Sequence, residues 1–425
     1  MNESAESLKK RFAGVLDSDQ IETRPDGFPQ LDHHEPALVL LPKTDEQLSE
    51  TLRCANASKT PIIPTGLGTA LRLGNLPTAP GAFLSTRLMN KIVDYEPRDL
   101  TVIAQAGLPI ETLQKTADEE NQRLALDPPN AGSLGGLVAM DAGGPLRDAY
   151  GSTRDLCLGV RAALADGTLV KGGGRVVKNA AGYDITRLLV GSFGTLGIVY
   201  EAAFRLHPQP EKTAEVSAEF ESWSGAFEAA ANLARSELEP EWLAVLRLDE
   251  ESAPTAAVGF GGHSETVEYQ TKRAQEIMSK GEPIALETKA NSEQARLQMR
   301  DRLNGALNDA NRMTCRVFAP MSAFADIVQA SERLRPSAWQ IRCLSGVGYA
   351  VFNNPSAETV HALREETAAR EGSVVVESAP VAVKREADVW GPPTGPLSVM
   401  RRVKLKLDPS RLLNRGRFLK GLDDE

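Results

Sequence analysis

The sequence predicts an α+β protein in two main parts, and three observations predict it. Three glycine clusters border strand-like segments in the first half: Gly66-Leu67-Gly68-Thr69, Gly132-Ser133-Leu134-Gly135-Gly136 and Gly191-x-x-Gly194-x-x-Gly197. The middle of the chain twice spells the order β-α-β-β-α-β, that of a split-βαβ, ferredoxin-like unit. A chain of 425 residues also exceeds one ordinary core and divides into two or three domains.

Residues 1–30 read as a short polar helix and a loop, and residues 37–41 (ALVLL) as a buried strand. Thr44 and Gln47 form a capping-box signature for a helix that runs to about Ser58. Residues 61–64 are a short strand leading straight into the first glycine cluster. A strand over 101–106 precedes a helix over 108–120, with Leu113 and Ala117 at core spacing. Residues 126–159 read as loop. The strand 158–165 turns at Asp166-Gly167 into 168–170, a strong hairpin signal. Residues 183–190 read as a short helix, 197–206 as the last strand of this part, and His207-Pro208-Gln209-Pro210 as a linker.

The next part reads as strand 215–220, helix 224–238, strands 242–248 and 256–260, helix 266–280 and strand 283–287. The same order returns in strand 315–319, helix 321–334, strands 339–344 and 347–352, helix 356–371 and strand 373–377. Side by side, two such units make one long antiparallel sheet with helices on one face. The expected domains are a polar segment at 1–35, a first domain at 36–210, a cap or substrate domain at 211–385, and a segment at 386–425 that returns to the first domain.

The balance of 48 basic and 57 acidic residues, net charge −9, argues against a nucleic-acid partner, which needs a basic face. The run Arg401-Arg402-Val403-Lys404-Leu405-Lys406 reads as the solvated face of a C-terminal helix. No segment approaches the roughly 18 apolar residues of a membrane span, and the N-terminus lacks the apolar core of a secretory signal. The expectation is a cytoplasmic protein, or one peripheral at the inner membrane through partners, and not an integral membrane protein. Cys54, Cys157, Cys315 and Cys343 are scattered without a CxxC pair, so each reads as a small core residue, and neither a zinc nor an iron–sulfur site is supported.

The glycine clusters do not fit the simplest nucleotide motifs. No Gly-Lys-Ser/Thr follows a glycine loop, and a G-x-G-x-x-G beginning at Gly66 would need glycine where Leu71 stands. Three clusters instead suggest a large phosphate-bearing cofactor lying against several backbone turns, because oriented amides form an anion nest and the missing Cβ permits contact.

Several segments carry a resemblance to a known family. They are Ala106-Gly107, Asp127-Pro128-Pro129, Gly135-Gly136-Leu137-Val138-Ala139, Tyr150-Gly151-Ser152-Thr153-Arg154-Asp155 and Ala165-Asp166-Gly167-Thr168. The most specific are Gly173–Asp184 (GGRVVKNAAGYD) and Leu189–Gly197 (LVGSFGTLG), and the C-terminal Asp408-Pro409…Leu413-Asn414-x-Gly416-Arg417 agrees. Together they resemble the FAD-binding domain of the vanillyl-alcohol oxidase/p-cresol methylhydroxylase (PCMH-type) superfamily. Within it they are similar to the FAD-binding (E) subunits of bacterial glycolate oxidase or dehydrogenase. The resemblance is dense over residues 36–210.

That resemblance implies a PCMH-type FAD-binding domain of two α+β subdomains, a ferredoxin-like cap and non-covalent FAD. It implies that Pro64, Thr65, Gly66, Leu67, Gly68, Thr69 and Ala70 cradle the pyrophosphate. A second loop of Pro129, Gly132, Ser133, Gly135 and Gly136 would add amides and the Ser133 hydroxyl. Gly197 and Ile198 would run beside the adenine or ring end, Lys178, Asn179, Tyr183 and Asp184 would lie nearer the ring or shape its loop, and Gly194 and Arg175 count among the cofactor-binding residues. Read from the residues alone, Tyr183 is equally a helix-packing aromatic, Asp184 a helix cap, and Arg147 and Arg154 surface ion pairs.

The resemblance further implies glycolate oxidation to glyoxylate, with electrons passing to a catalytic flavoprotein subunit and an iron–sulfur subunit. Catalytic relatives carry clustered cap histidines; here His33, His34, His207, His263 and His361 form no such cluster, and no catalytic residue is assigned. A self-sufficient FAD-dependent dehydrogenase of a small 2-hydroxy acid or other alcohol, and a non-catalytic assembly subunit, stay open as alternatives. The covalent types use His or Cys in the cofactor loops, and neither occurs in 61–77 or 126–155.

Overall fold

The computed structural model describes residues 5–23, 31, 38–78, 81–129, 132–174, 183–393 and 395–424. They fall into two units, one of Met1–Ala142, Ser152–Gln209 and Pro392–Glu425, the other of Gly143–Gly151 and Pro210–Gly391.

The first unit holds two main sheets. One has four strands in the order Ile21–Glu22, Val39–Leu40, Ala82–Ser85, Ile62–Thr65, with the last three parallel. The other has five antiparallel strands in the order Ile92–Glu96, Thr101–Gln105, Ile198–Arg205, Cys157–Ala163, Leu169–Gly173. The helix Asp45–Ser58 begins as expected: Thr44 Oγ1 accepts from Gln47 N, and Asp45 and Glu46 sit in the first turn. Its apolar side buries Leu48, Leu52 and Ala55, at about 1.5–3 kcal/mol for each leucine removed from water. The Asp166-Gly167 hairpin closes with Leu164 N donating to Thr168 O, and Asp166 Oδ1 accepts from Thr168 N.

Several expectations need correction. The N-terminal helix, Ala5–Phe12, buries Leu8 and Phe12 in the core of the first sheet, so its polar composition hides an apolar edge. The stretch read as loop over 126–159 contains three short helices, Leu134–Met140, Arg147–Tyr150 and Thr153–Leu156. Ser133 Oγ caps the first of these, and adjacent glycines inside a helix conceal it from a propensity reading. The strands Ala82–Ser85 and Ile92–Glu96 carry no turn or alternation signal strong enough to announce them.

The second unit contains both β-α-β-β-α-β repeats. Its eight strands run in the order Ala285–Lys289, Lys212–Glu219, Thr255–Gly262, Trp242–Arg247, Ala338–Arg342, Val347–Phe352, Met313–Phe318, Ser373–Ser378. Each repeat has its own ferredoxin-like strand order, and the two join where Val245 pairs with Ile341, second strand to second strand. Trp223–Ala234, Ser264–Ser279, Met321–Ser331 and Ala357–Ala368 form one helical layer. A further helix, Ser292–Asn308, links the repeats and escaped the sequence reading. Its Met299 packs with Trp242, Ala244 and Leu246. Strand alternation puts Leu243 and Val245 on the opposite face, so helices cover more than the one face expected.

Gly143–Gly151 belongs to this second unit for two polar reasons. Arg342 Nη1 donates to Gly144 O at 2.7 Å, and Tyr150 Oη donates to the buried Glu241 Oε1 at 2.7 Å. Cys157, Cys315 and Cys343 are buried and Cys54 half-buried. Burial pushes the Cys157 and Cys315 thiols up to about 12, leaving them inert packing groups.

Candidate functional site

Within the first unit a cleft encloses about 900 Å³ of unfilled space, its open mouth included. Pro64, Thr65, Gly66, Leu67, Gly68, Thr69, Ala70, Gly132, Ser133, Gly135, Gly136, Gly194, Gly197 and Ile198 all line it, so residues far apart in sequence come together as expected.

The first wall follows directly from the strand Ile62–Thr65. Among the described residues, the amides of Gly66, Leu67, Gly68, Thr69 and Ala70 donate to no protein acceptor. Five successive amides without a protein acceptor, in a loop that lines the cleft, are the donors that an anion nest requires. Gly66 cannot carry a side chain: an added Cβ would lie 1.9 Å from Ser133 Oγ. This loop and the Ser133 turn therefore touch backbone to side chain.

The second wall works differently from expectation. Gly135 N already donates to Ala106 O at 2.7 Å, and Gly136 N donates to Ser133 Oγ at 3.3 Å. Those two glycines supply no free amides, and Gly135 instead gives close approach. Gly135 has that role because a Cβ would meet Ala106 Cβ at 2.8 Å. Pro128 lines the cleft, and Pro129 is not among the lining residues.

The third wall is the turn 190–197. Gly191 N donates to Val138 O and Phe193 N to Ala139 O, which satisfies carbonyls at the end of the helix Leu134–Met140. Phe193 and Gly194 both take the left-handed conformation, at φ 55° and 67°. For Phe193 that conformation costs about 1–2 kcal/mol, and its neighbours hold it there. Asn414 Nδ2 donates to Phe193 O at 2.6 Å, and the Arg417 guanidinium lies 5.3 Å from the Phe193 ring centre. Arg417 also donates to Leu71 O at 2.7 Å and to Leu73 O.

Asn414 and Arg417 line the cleft, although the sequence reading assigned neither to the cofactor. Their motif Leu413-Asn414-x-Gly416-Arg417 was the available signal; only the fold brings it beside loops more than 200 residues away. Arg417 is the one charged residue among the described lining residues. Ile110, Leu137, Met140 and Val199 give it an apolar side.

Beneath this arrangement lies a buried ion pair. Lys404 is fully buried, and its Nζ donates to Asp408 Oδ2 at 2.6 Å, Thr195 O at 2.9 Å and Leu413 O at 3.0 Å. This corrects the reading of 401–406 as one solvated face. Asp408 in turn accepts from Leu412 N and Leu413 N.

Other expected site residues stand apart. Tyr183 is 95% exposed, and Asp184 accepts from Arg187 N as the cap of the helix Ile185–Leu189; neither lines the cleft. Arg175, Lys178 and Asn179, like His33 and His34, lie outside the described residues. His263 is exposed beside Glu211 at 3.3 Å, and His361 is exposed. Among the described residues no group of three His, Cys, Asp or Glu could hold a metal ion, and no helix is long and apolar enough to cross a membrane.

A row of amides without protein acceptors, a loop that admits no Cβ at Gly66, one buried guanidinium and no acid among the described lining residues fit a dianionic pyrophosphate, and the apolar side fits a flat ring. These features define the class as a FAD-binding flavoprotein. Residues 36–173 match the family described as FAD binding domain.

One relative is the D-lactate dehydrogenase (cytochrome), mitochondrial, of Kluyveromyces lactis, 27% identical and covering 95% of this chain and 77% of that one. Another, glycolate oxidase subunit GlcE of Escherichia coli, is 34% identical over 46% of this chain and 55% of its own length. The structure of p-cresol methylhydroxylase with substrate bound matches at a TM-score of 0.74 and 16% identity, over 98% of this chain and 97% of that one, which shows the shared fold.

Proposed function

We propose that this protein is the FAD-binding subunit of a glycolate oxidase-type complex, in which a small 2-hydroxy acid is oxidised and electrons leave through partner subunits. The observation that carries the flavin part is the row of free amides from Gly66 to Ala70 facing the Ser133 turn. Those amides would hold the pyrophosphate, with Arg417 supplying positive charge behind Leu71 and Phe193. No described lining residue is a histidine or cysteine, which supports non-covalent binding. FAD supplies a two-electron acceptor for oxidation of an alcohol carbon. The chain's own contribution is to bind and orient it, and to exclude water with Ile110, Leu137 and Met140.

The subunit reading rests on the 34% identity to GlcE over 46% of this chain and on the absence of a histidine cluster from the sequence after residue 210. A catalytic flavoprotein partner and an iron–sulfur partner belong to that reading, as does a cytoplasmic location. A second reading has its own support: the likeness to D-lactate dehydrogenase runs through both units, as a self-sufficient 2-hydroxy-acid dehydrogenase requires.

Anaerobic addition of glycolate and of D-lactate to the isolated flavin-loaded chain separates the two. The subunit reading expects the visible flavin absorbance to persist until a partner is added. Bleaching of the isolated chain by either acid rejects the subunit reading and supports the second.

A further inference from the structure

We propose that Lys404, though outside the cleft, is the positioning residue that fixes the spacing of two of the cleft's walls and so sets its affinity for FAD. This inference rests on the flavin reading above. All three protons of the Lys404 ammonium have protein acceptors within 3.0 Å, and the side chain has no access to solvent.

One of those acceptors belongs to the third wall, and another to the segment that pairs with the strand leading into the first. Thr195 O lies in the turn between Gly194 and Gly197, which line the cleft. Leu413 O lies in the C-terminal segment. That segment pairs with the strand Ile62–Thr65 through Ile62 N to Leu412 O and Asn414 N to Ile62 O, both 2.9 Å, and this strand runs into the Gly66–Ala70 nest. The third acceptor, Asp408, receives Leu412 N and Leu413 N and fixes the turn from which Leu413 emerges. Lys404 is thus one cation holding a carbonyl of the third wall and a carbonyl of the segment paired beside the first, each one residue removed from a lining residue (Gly194 and Asn414).

A buried pair of this kind is weak evidence for stability alone. Replacing both charges by neutral groups is often tolerated, whereas removing one is costly; the part-exposed Asp423, whose Oδ1 lies 3.8 Å from Nζ, stays charged in every variant. That asymmetry gives the test. Full-length Lys404→Met, Lys404→Met/Asp408→Asn and Asp408→Glu are compared with the parent for FAD dissociation constant and for apoprotein unfolding midpoint, the constants being measured well below each midpoint.

The double variant recovers midpoint relative to Lys404→Met but still binds FAD about tenfold or more weakly, the cost of one lost charge-assisted bond. Asp408→Glu keeps both charges and shifts the carboxylate by one methylene; it weakens FAD binding with little change in midpoint and carries the test if the neutral variants do not fold. Parent-like FAD affinity in whichever variants fold overturns the proposal and leaves Lys404 a structural residue. A parent protein that binds no FAD defeats the flavin reading itself, which is a separate outcome.

Discussion

Gly66 and Ser133 are in such close contact that a single added carbon at position 66 would stand 1.9 Å from Ser133 Oγ and 2.9 Å from its Cβ. The Gly66–Ala70 loop and the helix Leu134–Met140 therefore share one steric boundary. Gly66→Ala must push the first loop outward or displace the Ser133 cap. Overpacking of this kind costs about 1–3 kcal/mol, and FAD affinity should fall by about tenfold or more. Adding Ser133→Gly removes both clashing atoms and should recover part of the loss, as read by titration of the apoprotein with FAD.

Arg417 ties the segment after Leu413 to the first and third walls together. Arg417→Met keeps much of the stem over Phe193 but leaves Leu71 O and Leu73 O without their donor. A buried bond to a charged group is worth about 1.5–3 kcal/mol. The variant should show a clearly lowered unfolding midpoint and weaker FAD retention through gel filtration.

Tyr183 supplies the contrasting case. Its exposure predicts that Tyr183→Ala leaves FAD content unchanged. Asp184→Ala should cost about 1 kcal/mol through loss of the N-cap to Arg187, without altering FAD affinity. A large loss of FAD in either variant would return them to the cofactor site expected from sequence.

Glu215 gives a pH signature in the second unit. Burial raises its carboxyl above the ordinary value; the Lys289 ammonium opposes this and the Glu287 carboxylate adds to it. Its Oε2 makes no hydrogen bond among the described residues. Between the unfolded value of about 4.3 and the raised native value, the native state holds more protons than the unfolded chain. Stability is therefore lost as pH rises through that window. Glu215→Gln should raise the unfolding midpoint near neutral pH, and the gain should shrink toward zero as pH falls below the unfolded value. Midpoints of both proteins across that range measure it.

Local signals made much of this molecule legible. The Thr44 cap, the Asp166-Gly167 hairpin and the two β-α-β-β-α-β orders are written in neighbouring residues, and the three glycine clusters announced the cleft. What escaped depends on contacts distant in sequence. Lys404 reads as one more basic residue on a helix until Asp408, Thr195 and Leu413 close around it. Asn414 and Arg417 become cleft residues only because the C-terminal segment pairs beside Ile62. Gly135 and Gly136 look like amide donors in sequence, yet Ala106 O and Ser133 Oγ already hold their hydrogens. The helices over 134–156 are too short and too glycine-rich for periodicity to register.

The central claim is that the cleft of the first unit holds FAD without a covalent bond. The direct measurement is to purify the full chain, denature it, separate protein from supernatant, and identify and quantify released flavin by mass and absorbance. The account predicts a yellow protein that releases intact FAD in about equimolar amount and leaves a colourless polypeptide. A colourless preparation whose apoprotein also fails to bind added FAD, or flavin that stays with the precipitated chain, would contradict it.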